Sequence, residues 1–221
     1  MGLSQQEILN KLKTSIEETD VDMAEEAAKE ALSANMDPLF AISNGLSAGM
    51  QTLSDLFDEG EVFVPQLVLA SEAFDAAVAI LKQAISAEDM GKVSKGKILL
   101  MTVQGDIHDI GKNIVKTMLS ASGFEVIDLG RDVDTEEVIS KAKEHNVDII
   151  AGAALMTTTM PAQRDIITLL KEEGIRDKFK CMFGGAPVSP EWIEKIGADA
   201  YAETASEAVE KANALIAELR G

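Results

Sequence analysis

The stretch Gln104-Gly105-Asp106-Ile107-His108-Asp109-Ile110-Gly111-Lys112-Asn113 carries one of the two histidines in the chain. Asp106 and Asp109 flank the imidazole, and Gly105 and Gly111 bound the segment. An imidazole can cap a helix, shuttle a proton or ligate a metal. Glycines on both sides permit a tight turn or the close approach of a large body. A carboxylate two residues before the histidine can hold one ring nitrogen and leave the other free, as metal-bound histidines require. A lone histidine with no second histidine or cysteine nearby is a poor basis for a protein-only zinc site, which takes three or four ligands.

The elements that must position this segment follow from two different hydrophobic periods. Residues 1–88 read as helices. Leu39, Ile42, Leu46, Met50, Leu53 and Phe57 recur on one helical face. Asp37-Pro38 supplies a cap and a first-turn proline, and Gly60 a stop. A last helix runs from about Pro65, with Leu67, Phe74, Val78, Leu81 and Ile85 inward, and two earlier helices fit 4–18 and 21–34. Four helices on short connections make a bundle. From 97 on, apolar β-rich runs at 97–103, 124–129, 147–153, 179–183 and 198–202 alternate with helical stretches at 110–122, 134–145, 160–173, 190–196 and 204–219. Asp134 with Glu137 resembles a capping box. This alternation predicts an α/β domain of flavodoxin-like, Rossmann-type architecture with a five-stranded parallel sheet. The expected organisation is a helical-bundle cap over 1–88, a linker over 89–96 and the α/β domain over 97–221. Gly91 and Gly96 offer hinge points.

Ligands of doubly wound sheets sit beyond the carboxyl ends of the strands, near the switch point. The residues falling there are Gly105 to His108, Ala153 to Thr159, Gly184 to Pro187 and Glu203 to Ala205. That edge holds one imidazole, hydroxyls, glycines and small apolar groups. It lacks paired catalytic acids, a basic phosphate cradle and a nucleophile with its base. One histidine suffices for a metal whose macrocycle supplies the equatorial nitrogens, so the edge points to a tetrapyrrole-type cofactor.

Composition narrows the partners. Lys and Arg total 20 against 38 acids, a net charge of −18, which excludes the basic footprint of nucleic-acid binding. The excess is concentrated at the front, with 4 basic and 17 acidic residues in 1–90 against 16 and 21 in the remainder. We read this as a solvated acidic surface. Cys181 is the only cysteine and lies in an apolar run, as a structural thiol in a reducing compartment would. The N-terminus has no apolar signal core, and Gln6 breaks a myristoylation pattern. We expect no membrane span and a cytoplasmic protein. His145, at a helix end, is assigned at most a favourable dipole contact, and Trp192 a packing role.

Asp106-x-His108-x-x-Gly111, then Ala153-x-Leu155, then Gly184-Gly185 resembles the cobalamin-binding signature D-x-H-x-x-G, S-x-L, G-G. The strings GDIHDIGKNIV and ALMTTTMPAQ, and LFDEGEVFVPQLVLASEAF at 56–74 in the helical half, are similar to corrinoid proteins of anaerobic methyltransferase systems. The resemblance implies a cobalamin or related cobamide bound base-off, with His108 as axial cobalt ligand and Asp106 as its hydrogen-bond partner. Gly105, Asp106, Ile107, His108, Asp109 and Gly111 would contact corrin and tail. Ala153, Leu155, Thr157, Gly184, Gly185 and Ala205 would line the channel for the nucleotide tail. The helical cap would shelter the reactive face, with Phe57, Val62, Phe63, Val64 and Leu67 as lids. The family has Ser where this chain has Ala153, so the hydroxyl it supplies must come from elsewhere, with Thr157 and Thr158 as candidates. The implied role is a methyl carrier that does not turn over substrate alone. A substrate-specific methyltransferase, favoured for methylamines or quaternary amines, would load it. A second methyltransferase using coenzyme M or tetrahydrofolate would unload it, and a reductive activase would maintain it. Three other readings stay open: the small subunit of an adenosylcobalamin-dependent isomerase, a B12 sensor module, and a receiver-type domain whose Asp106 and Asp109 hold magnesium.

Overall fold

A computed structural model describes residues 4–85 and 94–220. The chain falls into two compact units, one up to Ser94 with Ser120–Gly123, the other Lys95–Leu119 with the residues from Phe124 on. Most of the expected linker, Gly91 included, lies outside the described residues. Gly96 is no hinge. A Cβ on it would stand 2.5 Å from Ile216 Cδ1, and its carbonyl accepts from Glu125 N, so it is packed into the second unit.

The first unit is the helical bundle. Helix α1 (Gln5–Glu17) starts on a reciprocal cap, in which Glu7 N donates to Ser4 Oγ and Ser4 N donates to the Glu7 carboxylate. It buries Ile8, Leu12 and Ile16. Helix α2 (Val21–Ser33) buries Ala24, Ala27, Ala28 and Ala31, an alanine stripe that lets helices approach closely. The long third helix of the sequence reading is interrupted. Helix α3 (Pro38–Ala41), capped by Asp37, passes through a π-helical turn at Ile42–Leu46 into α4 (Ser47–Asp58). A Cβ on Gly45 would lie 2.8 Å from Leu12 Cβ, and one on Gly49 2.6 Å from the Lys13 carbonyl, so both glycines sit hard against α1. Gly60, at φ +77°, follows the end of α4.

Helix α5 (Val64–Leu81) continues as a 3-10 turn to Ala84. It corrects the expectation that no run could cross a bilayer, since its 21 residues are long and apolar enough by length and composition. The reason is packing on several sides: Leu67, Ala70, Ala73, Phe74, Ala77, Val78 and Leu81 are all buried.

The second unit is a parallel sheet of β1 (Lys97–Thr102), β2 (Glu125–Asp128), β3 (Ile149–Ala153), β4 (Lys180–Gly184) and β5 (Ala200–Ala202), in the order β2-β1-β3-β4-β5. The helices are α6 (Ile110–Ala121), α7 (Thr135–His145), α8 (Met160–Glu172), α9 (Pro190–Ile196) and α10 (Ala205–Arg220). The flavodoxin-like reading holds, with the switch point between β1 and β3. Asp134 caps α7 by accepting from Glu136 N rather than from Glu137, so the cap is present in a different register. On one sheet face Leu99, Met101, Ile150, Cys181 and Phe183 join Val138, Ile166, Leu170 and Ile193 from α7, α8 and α9 in a dense core.

The other face is built from small residues. Leu100, Ala151, Met182 and Ala200 stand in one row across the strands, and Thr102, Ala153, Gly184 and Ala202 in the next. Alanines and glycine in these rows leave volume that larger β-formers would have filled.

Candidate cofactor site

Beyond β1 the chain turns through Gly105, which has φ +83° and donates its N–H to Asp132 Oδ1 at 2.7 Å. The turn carries the Asp106 side chain inward, where it is fully buried. Four donors converge on this carboxylate. Oδ1 accepts from His108 N at 3.1 Å and lies 2.7 Å from His108 Nδ1. Oδ2 accepts from Leu155 N at 2.7 Å and Thr159 Oγ1 at 2.8 Å. Burial alone would raise the Asp106 pKa, but the bonds from Leu155, His108 and Thr159 outweigh it and hold the group well below the usual carboxylate range. Asp106 is therefore an anion whose lone pairs are already used by the protein. That disposes of the magnesium reading, and no group of three or more His, Cys, Asp or Glu able to hold a metal occurs among the described residues.

His108 is oriented from both ends. Thr102 Oγ1 donates to its carbonyl at 2.8 Å, and its Nδ1 faces Asp106. With Nδ1–H given to a carboxylate, the neutral ring presents the Nε2 lone pair outward, and the side chain is 48% exposed. Around it stand four large apolar side chains that the fold does not cover: Ile107 and Ile110, 63% and 80% exposed, with Leu155 and Met156. Exposed apolar groups ringing one imidazole suit a flat, apolar-faced body ligated at its centre.

Beside His108 opens a cavity of about 690 Å³, between the small-residue rows of the sheet and helices α6 and α10, a size typical of small-molecule sites. Ile107, His108, Asp109, Gly111, Ala153, Leu155, Gly184, Gly185 and Ala205 all line it. Gly105, Asp106 and Thr157 do not: Gly105 makes the turn, Asp106 lies behind the imidazole and Thr157 is exposed. The glycine pair is a steric necessity. A Cβ on Gly184 would lie 2.5 Å from the Ala202 carbonyl, and one on Gly185, at φ +121°, 1.9 Å from the Ala154 carbonyl.

Sequence reading missed four contributors. Thr159, not Thr157 or Thr158, supplies the hydroxyl on Asp106. It stands where an N-cap of α8 belongs but makes no capping bond, and its partner is 53 residues away, so no local signal marks it. Lys112 is buried in the cavity wall, its ammonium 2.7 Å from Asp128 Oδ1. Leu100 forms part of the floor. Gln163, also buried, donates to the Gly152 and Gly184 carbonyls and accepts from Trp192 Nε1 at 3.0 Å. Trp192 thus packs, as expected, and also props the strand ends that bear the glycine pair. Cys181 is buried with its thiol pushed up to about 12, an inert structural group. His145 sits in the last turn of α7 beside Glu144.

The donor set therefore fits a metal that brings its own equatorial ligands and an appended group able to enter the cavity. In the bundle, Val62 and Leu67 are core residues and Phe63 is exposed.

Comparison with known proteins agrees with this chemistry. Two families, each described as a B12 binding domain, match residues 96–210 and 8–82. Trimethylamine corrinoid protein 2 of Methanosarcina acetivorans is 47% identical over 211 residues, 96% of this chain and 97% of that protein. Dimethylamine corrinoid protein 1 of the same organism is 48% identical over 215 residues, 97% of this chain and all of that protein. Among solved structures, the methanol:cobalamin methyltransferase complex of Methanosarcina barkeri superposes with a TM-score of 0.83 at 33% identity, over 98% of this chain and 82% of the matched one.

Proposed function

Since the chain belongs to the family of B12-binding corrinoid proteins, we propose that it is a methyl carrier of a methylamine-type methyltransferase system, with His108 as the axial ligand of a base-off cobamide. The observation that carries the proposal is the Asp106–His108 pair, a saturated buried carboxylate 2.7 Å from Nδ1 with Nε2 directed outward. A bound cobamide would supply the chemistry, its cobalt taking a methyl group from the donor and passing it to the acceptor.

The chain's own residues do the rest. Asp106 fixes the ring orientation and keeps the proton on Nδ1, so that Nε2 is available as a ligand. Leu155 N–H and Thr159 Oγ–H keep Asp106 ionised. Ile107, Ile110, Leu155 and Met156 support the apolar underside of the macrocycle, and the cavity receives its nucleotide tail. When the ligand bond breaks, Nε2 takes up a proton and the resulting imidazolium rests against Asp106, which couples ligation to protonation. The names of the relatives favour mono-, di- or trimethylamine as methyl source. A substrate-specific methyltransferase loads the carrier, a second one using coenzyme M or tetrahydrofolate unloads it, and a reductive activase rescues it.

The test is electron paramagnetic resonance of the Co(II) form, in a His145→Gln background that leaves His108 as the only histidine. Labelling with nitrogen-15 histidine should change the axial nitrogen splitting from a triplet to a doublet pattern. A splitting that ignores the label would make the tail base the ligand and refute the role of His108.

A further inference from the structure

Resting on the cobamide reading above, we propose that the cavity beside His108 also selects among cobamides by the chemistry of the tail base. It accepts flat bases with a hydrocarbon edge, and disfavours bases that carry hydrogen-bonding groups on that edge.

The selectivity follows from what lines the cavity at each depth. Its floor is Leu100, Ala151 and Met182 on the sheet, closed over by Ile114 and Val115 of α6 and Ala208 of α10. Every one of these side chains is a hydrocarbon or a thioether. The backbone groups of Leu100, Ala151 and Met182 lie within the ladders joining β1, β3 and β4, so they are committed to the sheet. Polar side chains in the wall all belong to the loops and first helical turn at the carboxyl edge: His108, Asp109, Lys112, Glu203 and Thr204. The buried one, Lys112, is held by Asp128 at 2.7 Å and Asn113 at 2.8 Å. Ala153, at the level between edge and floor, contributes a methyl group where a hydroxyl would have given a donor.

A tail base that enters this space leaves water behind along its leading edge. For a benzenoid edge that transfer is favourable. For adenine, the exocyclic amine and the ring nitrogens lose their water and meet only alkyl groups. One unsatisfied polar group of this kind weakens binding roughly tenfold to a hundredfold. A phenolic tail such as p-cresol, with no ring nitrogen at all, loses nothing here. Ring nitrogen is therefore not what the protein reads. The absence of polar groups on the leading edge is.

The experiment is a spectral titration of the intact protein with four corrinoids: cobalamin, its adenine-tailed counterpart, a p-cresol-tailed cobamide, and cobinamide, which has no tail. Cobalamin and the cresol form should bind tightly, with the cresol form at least as tight because no nitrogen must first leave cobalt. The adenine form should bind at least tenfold more weakly than cobalamin, and cobinamide more weakly still. Free benzimidazole coordinates cobalt more strongly than adenine does, so that competing effect works against the expected order. Ala153→Ser, a one-atom addition to the wall, should recover threefold or more of the affinity for the adenine form. Adenine and benzimidazole tails binding alike, cobinamide binding as tightly as cobalamin, or no recovery in a folded Ala153→Ser protein would each overturn the assignment. Failure to retain any of the four corrinoids would instead overturn the cobamide reading itself.

Discussion

Replacing Thr159 by Val removes one buried oxygen from the Asp106 cluster and keeps the shape of the side chain. The Thr159 hydroxyl has a single proton and two acceptors in reach, Asp106 Oδ2 at 2.8 Å and the Met156 carbonyl at 2.9 Å. The charged acceptor wins, because hydrogen bonds to ionised groups are the stronger kind. A bond to a charged partner is worth about 1.5–3 kcal/mol, against about 0.5–1.5 for a neutral pair. Thr159→Val should therefore destabilise the α/β unit by roughly 2 kcal/mol at pH 7. With a urea slope on the order of 2 kcal/mol per molar, the unfolding midpoint falls by about 1 M. Trp192 is the only tryptophan and lies in this unit, so its fluorescence follows that transition selectively. Thr159→Ser keeps the proton donor and should recover most of the loss. In an Asp106→Asn background, Thr159→Val should cost much less, since a shared bond makes the two changes non-additive. A midpoint drop below about 0.3 M, or full additivity in the cycle, would mean that the hydroxyl serves Met156 and that Asp106 is held by its other three donors alone.

Three further outcomes are expected. Gly185→Ala forces a Cβ onto the Ala154 carbonyl at a left-handed backbone position, and should abolish corrinoid retention on gel filtration while circular dichroism still shows helix from the bundle. Gln163→Leu strips the Gly152 and Gly184 carbonyls of their donor and Trp192 of its acceptor. It should shift Trp192 emission and weaken cobalamin binding while leaving cobinamide binding nearly unchanged. The Asp106 pKa is lower folded than unfolded. Its contribution to stability is thus complete above the unfolded value of about 3.9 and fades as pH falls below it toward the folded value. The stability profile of Asp106→Asn should accordingly lack that acid-side loss, which unfolding titrations between pH 6 and pH 3 would show.

The elements were legible because local pattern decides them here. Strands buried on both faces read as apolar runs, and Asp37-Pro38, Ser189-Pro190 and Gly60 punctuate helices by rules that act over a few residues. His108 and Asp106 were legible for the same reason, being two residues apart on one turn. Thr159 and Gln163 were not. Each looks locally like an ordinary residue at the start of α8, and only the sheet brings them to Asp106 and to the Gly184 carbonyl. The cavity shows the same limit. Ala151, Ala153, Ala202 and Ala208 are unremarkable in sequence, and become a wall only when parallel register aligns them. Gly96 was misread because glycine signals both freedom and crowding, and Ile216, which crowds it, is 120 residues distant.

The π-helical turn at Ile42–Leu46 gives the bundle a particular sensitivity to insertion and deletion. A π turn carries one residue more than the α-helix it interrupts, and its outward residues, Ser43 and Asn44, are exposed. Removing either would look harmless by side chain. It would nevertheless restore a regular helix and rotate everything after it by about 100°. Gly49 would turn away from the Lys13 carbonyl and a neighbour with a side chain would arrive there, while Met50 and Leu53 would leave the core. A single-codon deletion at an exposed position should thus be far more damaging than any substitution at it. Length variation among such chains should collect at the helix connections and spare this turn.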